Sequence, residues 1–381
     1  MHRHHNSRRR TWLISACVVV ALAIAAASIT LVGGHPKPDS AGAAPVPTTP
    51  AGKPALESVT SATPAPGATG VNPDTLISLQ LSEPLASDSP LPTLTPAVAG
   101  NWTEASPTTL VFQPTASFVP GATESVVVPA GADGLEGVDG LRTTERVTVG
   151  FQVATGSELR VQQLLAELGY LPLTFTPASS APVSPLAEAM PQVGTFSWRW
   201  SGLPASLTSL WTPGYANVIT QGAIMEFENA SNLTSDGIAG PEVWSDLLKT
   251  VNTHATDPWP YDYVYVQKNP EPENVTVYRN GQPIYNTLAN TGIAAAPTPD
   301  GTWPVYARYT VTTMKGTNPD GKPYVDPGIP WVSYFYQGDA LHGYIRASYG
   351  FPQSLGCVEM PYAHAAVVFP LTPIGTLVTV Q

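Results

Sequence analysis

The sequence predicts a multidomain, mainly β protein, with an N-terminal transmembrane helix, a β-sandwich, a small helical domain and a β-rich C-terminal domain. Three observations predict it. Pro (41) and Gly (32) are abundant in a 381-residue chain whose charged residues amount to only 12%, a balance that favours short strands and turns over long helices. Period-two alternation of apolar residues recurs at both ends of the exported part, while helical spacing is confined to its middle. One uncharged apolar run of bilayer length stands near the start. The length suffices for two or three domains.

Residues 1–34 carry Arg3, Arg8, Arg9 and Arg10, then a run from Thr11 to Gly33 without a charge. About twenty apolar residues span a bilayer, and the preceding arginines place the N-terminus inside. The rest of the chain is therefore expected outside the cytoplasm, behind an uncleaved single-pass anchor or a cleaved signal peptide; the length of the run favours the anchor. Four of the 17 basic residues lie in this first segment, against 28 acidic residues overall. The exported remainder is strongly acidic, which excludes phosphate backbones and anionic lipid surfaces as partners, so no nucleic-acid role is expected.

Residues 35–55 are rich in Pro, Ala, Gly, Ser and Thr, too poor in apolar side chains to fold, and read as an extended spacer. Residues 56–154 read as all β: Ile77, Leu79 and Leu81 alternate with polar residues, as do Val147, Val149, Phe151 and Val153, and Pro66-Gly67, Pro120-Gly121 and Asp133-Gly134 mark turns. Trp102 and Phe112 are expected in its core. The opening TSATPAPGATGVNPDTLISLQLSEPL resembles the start of bacterial Ig-like domains.

Helical spacing governs residues 155–255. Val161, Leu164, Leu165 and Leu168 fall at i, i+3, i+4 and i+7, with Ser157 as N-cap and Gly169 as stop; a second helix is expected over Thr220 to Asn229, and a third from Pro241 through Trp244, Leu247, Leu248 and Val251. The phrases RVQQLLAELGY and GAIMEFENASNLTSDGIAGPEVWSDLL resemble the peptidoglycan-binding domain family, with Asp236-Gly237, Gly240-Pro241 and Trp244 matching its pattern. Between the two halves, Leu171 to Asn217 forms an insertion containing Trp198, Trp200 and Trp211, suited to core packing or to stacking on sugar faces.

Residues 259–381 return to strands. Tyr261 to Val266, Val275 to Tyr278 and Gln282 to Leu288 are expected as strands, with Asn280-Gly281 as a two-residue hairpin turn; Val305 to Thr313 comes after a turn at Thr298 to Gly301. Lys315 to Pro330, polar and rich in Gly and Pro, is expected as a loop, either a lid or substrate rim or a surface excursion, and Trp331 to Tyr336 as an aromatic strand leading to His342.

Cys357 is the one cysteine outside the apolar run, since Cys17 lies within it. An exported thiol without a partner in its own chain is buried and inert, bridged to another molecule, or reactive. His342, fifteen positions upstream, supplies the imidazole that could take its proton. A free thiol is only about 3% ionised at neutral pH, so such a base matters.

The order YRNG, TPDG, LHGY and SLGCVEM resembles the L,D-transpeptidase (YkuD-type) catalytic domain, whose motif is a histidine, a variable stretch, then [Ser/Thr]-His-Gly-Cys. The resemblance implies Cys357 as nucleophile, His342 as base and the Gly343 carbonyl as the group orienting the imidazole, with Ser354, Gly356 and Tyr336 on the substrate side. Backbone N–H groups around Gly356 and Cys357 would form an oxyanion hole. Leu355 replaces the motif's second histidine, and Glu359 stands where Arg or Asn is usual; an acid there would raise the thiol pKa if it points inward.

A histidine before the cysteine is the reverse of papain-like peptidases, and the Thr-Leu-x-Thr-Cys pattern of sortases is missing. His342, Cys357 and His364 lack zinc-ligand spacing, and no metal or organic cofactor is implied. The resemblance implies peptidoglycan stem peptides and glycan as partners and 3→3 cross-linking as the reaction. L,D-carboxypeptidase activity or a non-catalytic wall-binding scaffold are the alternatives.

Overall fold

The computed structural model describes residues 59–253, 255–257 and 259–381. The anchor expected over 1–34 and the spacer over 35–55 lie outside these residues. Among the described residues no helix is long and apolar enough to cross a membrane.

Eight strands form the N-terminal sandwich: β1 (Ser61–Thr63), β2 (Ala68–Val71), β3 (Ile77–Gln80), β4 (Thr93–Thr95), β5 (Gly100–Ser106), β6 (Thr109–Pro114), β7 (Thr123–Val128) and β8 (Val147–Val153). They make two four-stranded sheets, ordered β1-β3-β6-β5 and β2-β8-β7-β4. The alternation read from the sequence does the work: Ile77, Leu79, Phe112, Val149, Phe151 and Val153 all point into one core between the sheets. Trp102 packs at its edge, 5.3 Å from Phe112.

The middle of the chain holds α1 (Glu158–Glu167), a hairpin of β9 (Leu173–Pro177) and β10 (Gly194–Trp198), then α2 (Ala205–Thr208), α3 (Val218–Ala230) and α4 (Pro241–Thr253). Ser157 caps α1 by accepting from the Arg160 N–H, and Gly169 ends it at φ +89°. The insertion is locked onto the helices by the buried Gln162, which donates to Thr212 O, Tyr215 O and Thr220 Oγ1 and accepts from Gly214 N. Trp198 and Trp211 pack against the helical core, and Trp200 stacks on Tyr261 at 6.3 Å. That core does not stop at the helices, because Tyr263 and Leu377 of the C-terminal region belong to it. At the junction a Cβ on Gly222 of α3 would stand 2.6 Å from the Gly375 carbonyl oxygen, so only glycine permits this approach.

The C-terminal domain comprises β11 (Asp262–Gln267), β12 (Asn274–Arg279), β13 (Gln282–Leu288), β14 (Gly301–Pro304), β15 (Ala307–Thr317), β16 (Pro323–Tyr336), β17 (Asp339–Gly343), β18 (Val358–Met360), α5 (Tyr362–Val368) and β19 (Leu377–Val380). Asn280 and Gly281 both take positive φ, as a tight hairpin turn between β12 and β13 requires. One sheet runs β13-β12-β11-β19-β14 and the other β15-β16-β17-β18. Val264, Val277 and Val378 from the first meet Phe335, Leu341 and Val358 from the second in a shared core.

The stretch 315–330, expected as a loop, is instead the end of a long antiparallel hairpin, β15 pairing with β16 from Ala307↔Tyr334 to Thr317↔Pro323. Its prolines are tolerated because β17 pairs with β16 only from Ser333 onward, leaving the proline-bearing half as an edge.

Candidate active site

Parallel pairing of β17 with β18 sets Leu341 opposite Val358, His342 opposite Glu359 and Gly343 opposite Met360. Strand alternation then sorts side chains to two faces. Leu341, Val358 and Met360 enter the domain core. Ala340, His342 and Tyr344 share the opposite face with Cys357 and Glu359. Fifteen residues of separation thus reduce to one strand sideways and one pleat repeat back, roughly 8 Å between backbones.

That face floors a cavity of about 340 Å³ to which both His342 and Cys357 contribute. The far wall comes from the β15–β16 hairpin through Met314, Asn318, Tyr324, Asp326 and Ile329. The sequence marks the stretch 315–330, which holds all of these but Met314, as one that could rim a site, without singling out the individual side chains.

His342 is buried, and its Nδ1 lies 3.0 Å from the Gly343 carbonyl oxygen. A carbonyl only accepts, so Nδ1 carries the proton and the neutral ring's Nε2 is left as an acceptor. Nε2 has no hydrogen-bond partner among the described residues. Burial holds the imidazole below its ordinary pKa of 6.5, against smaller opposing contributions from the Gly343 bond and Glu359. The result is a neutral base, on a residue that lines the cavity, whose Nε2 lone pair is buried and without a partner among the described residues.

The Cys357 thiol is free and partly accessible. Its sulfur lies 3.9 Å from the Gly338 carbonyl and is not hydrogen-bonded to the imidazole in this state. Removal from water pushes its pKa up to about 12, and the carboxylates of Asp339 and Glu359 add to the rise, while the Ala340 backbone bond opposes it. The resting nucleophile is therefore a thiol, and attack requires the base to take its proton as the new bond forms.

Ser354 and Gly356 shape the turn that presents Cys357. The Ser354 hydroxyl donates to the Cys357 carbonyl at 2.6 Å and accepts from the Gly356 N–H at 3.2 Å, so it is engaged within the turn although it borders the cavity. The Gly356 N–H is engaged likewise. Gly356 sits at φ +120°, and a Cβ there would overlap the Asp339 carboxylate. The turn is pinned from behind by Thr291, whose carbonyl accepts from Gln353 and Ser354 N–H and whose own N–H and hydroxyl donate to the buried Glu273, each at 2.6 Å.

Tyr336 does not reach the cavity. A register shift between Tyr334 and Tyr336 breaks the alternation of β16, so that Tyr334 faces the Cys357 side while Tyr336 packs on Trp303, 4.6 Å between rings. Leu355 does line the cavity, and so does Glu359. Glu359 is neither isolated nor solvated: Arg346 Nε and Nη2 grip its two oxygens at 2.7 and 2.8 Å. His364, on α5, bonds through Nδ1 to the Tyr285 hydroxyl at 2.7 Å, apart from the site.

Residues 262–380 match the L,D-transpeptidase catalytic domain family. Residues 54–153 match the bacterial Ig-like domain family. Among solved structures, the L,D-transpeptidase from Mycobacterium smegmatis is 13% identical, with 86% of this chain and 100% of that chain covered and a TM-score of 0.29. L,D-transpeptidase 3 from Mycobacterium tuberculosis is 12% identical over 85% of this chain and 98% of its own, with a TM-score of 0.29. The catalytic domain of the E. faecium L,D-transpeptidase is 26% identical over 33% of this chain and all of its own, again with a TM-score of 0.29. No curated protein matches the chain. His342 and Cys357 both lie within the segment that matches the L,D-transpeptidase domain, and the sandwich lies within the Ig-like match.

Proposed function

We propose that this chain is a peptidoglycan L,D-transpeptidase that joins stem peptides through an acyl-enzyme on Cys357. The observation that carries the reading is the neutral His342 ring, oriented by the Gly343 carbonyl and with Nε2 unpartnered, on a residue that lines the same cavity as Cys357. In the first half-reaction Sγ attacks an amide carbonyl of the donor stem as Nε2 takes the thiol proton. The carbonyl π electrons move to oxygen, then return as the C–N bond breaks, and the imidazolium protonates the departing amine. A thioester remains. In the second, an acceptor amine attacks that thioester, His342 takes its proton and returns it to sulfur, and a new amide is released.

Around this chemistry we place a delivery system. Residues 1–34 hold the chain in the membrane with the catalytic domain facing the wall, 35–55 and the Ig-like sandwich set its distance, and the helical region contributes wall binding. The thiol's raised pKa and the changed residues 355 and 359 favour one rival, a wall-binding scaffold without activity.

The test is intact-mass analysis of the full-length chain after incubation with tetrapeptide muropeptides. An acyl adduct that Cys357→Ala lacks, followed by a cross-linked product, is the expected result. A tripeptide product without cross-links means carboxypeptidase activity, and no adduct at all leaves the scaffold.

A further inference from the structure

Arg346 and Glu359 form an ion pair that the acyl-transfer steps do not use. The acid is buried, with 6% of its side chain exposed, whereas the arginine keeps 30% and borders the cavity. The guanidinium is fixed on three sides. Its Nε and Nη2 engage both Glu359 oxygens, Nη2 also donates to the Gln353 carbonyl at 3.1 Å, and its plane lies 4.7 Å over the Tyr344 ring. Those bonds leave Nη1 as the edge without an acceptor among the described residues.

A buried carboxylate is costly unless paired, so Glu359 demands a cation, and bidentate geometry holds that cation rigidly. The pair is also oriented. Both residues border the cavity, but the two Glu359 oxygens are taken by the guanidinium and only 6% of its side chain is exposed, so the end a ligand can reach is a preorganised guanidinium edge. Asp326, on the opposite wall, carries the other charge, which makes the cavity bipolar.

We infer that Arg346, held in place by Glu359, binds a carboxylate of the acyl donor and selects donors in which that carboxylate is free. This rests on the transpeptidase reading for the donor's identity, but the anion-binding edge can be measured without it. Arg346 would act on affinity, since it grips a group remote from the reacting carbonyl and does so equally before and at the transition state.

Two measurements on the full-length chain test it. In the first, Cys357 is alkylated with iodoacetate or with its neutral isostere iodoacetamide and tracked by intact mass; sulfur forms a bond to carbon, iodide leaves, and the thiol proton goes to solvent. Arg346→Met should lower the iodoacetate-to-iodoacetamide rate ratio at least threefold, and the same loss in Arg346→Met combined with Glu359→Gln, which leaves no unpaired buried carboxylate, separates the missing guanidinium from the freed acid. Arg346→Lys should recover part of the ratio. In the second, stem-peptide donors with each carboxylate amidated in turn are compared. One amidation should raise KM about tenfold in the wild type and have no effect in Arg346→Met, with kcat nearly constant in both. An unchanged alkylation ratio together with an undiminished amidation penalty in Arg346→Met overturns the inference, whether or not cross-linking occurs. Absence of turnover with a shifted ratio overturns the transpeptidase reading and keeps the anion site.

Discussion

In the sandwich, the inward positions of β7 and β8 are Val126, Val128, Val149, Phe151 and Val153, with the buried Glu124 in the same alternation. In the C-terminal domain, the outer face of β17 and β18 carries Ala340, His342 and Glu359, with Cys357 just before β18, and around it lie the buried, hydrogen-bonded Glu273, Thr291, Thr298 and Ser354. Both regions are paired sheets built by the same period-two rule, yet one buries apolar surface and the other buries hydrogen-bonding groups. Apolar burial is tolerant and non-directional, so it serves a spacer. Satisfied polar burial fixes a single geometry, so it can hold a base and a nucleophile on one cavity.

That contrast can be broken most sharply at His342. His342→Gln should reduce acylation of Cys357 by about 10²–10⁴-fold, as loss of a general base does, while protection of the sandwich amides from hydrogen exchange stays unchanged. The mirror experiment is Phe151→Ala, a large side chain lost from the sandwich core. It should destabilise that region by roughly 3–5 kcal/mol in denaturant-dependent hydrogen exchange while the acylation rate is kept.

Glu124 sharpens the comparison, because among the described residues its buried Oε2 has no hydrogen-bond partner. Burial raises its carboxyl from 4.5 to about 7. The folded state thus holds a proton that the unfolded state has released, so stability is full below pH 4.5 and declines as pH rises through about 7. Glu124→Gln should remove that decline, stabilising the sandwich at pH 8 relative to pH 4 by up to ~3 kcal/mol, read from exchange of the β7 and β8 amides at the two pH values.

The smallest effect is expected from the pH response of the site itself. His342 is held below its ordinary 6.5, so the unfolded chain binds the extra proton first, and its contribution to stability is full above pH 6.5 and falls as pH drops through the lowered value. Iodoacetamide modification of Cys357 should lose its imidazole assistance over the same acidic range. On the alkaline side the rate should keep climbing beyond pH 9 instead of levelling near 8.5, because burial holds the thiol protonated. A plateau near 8.5 would show a solvated sulfur.

Much of the architecture is legible in the sequence because it rests on local rules. Ser157, Gly169 and the apolar spacing between them delimit α1, and Asn280-Gly281 turns β12 into β13, since caps and tight turns are decided by a few adjacent residues. Cys357 can be named because the other cysteine lies in the apolar run, and His342 is chosen over the nearer His364 by the resemblance of LHGY and SLGCVEM to the transpeptidase motif. The β15–β16 hairpin reads as a loop because its prolines and glycines are breakers inside a sheet but permitted on an edge, and which strand is an edge is a property of the whole sheet.

What the sequence determined by itself is therefore the list of elements and the identity of a thiol and an imidazole, through periodicity, turn chemistry, residue scarcity and motif resemblance. What only the tertiary structure decided is which side chains share a face. The parallel register of β17 with β18 puts Cys357 and His342 on one cavity, the bulge in β16 turns Tyr336 away from it, and a thirteen-residue excursion brings Arg346 back onto Glu359. Register and pairing between distant segments are set by long-range packing, and no local rule along the chain encodes them.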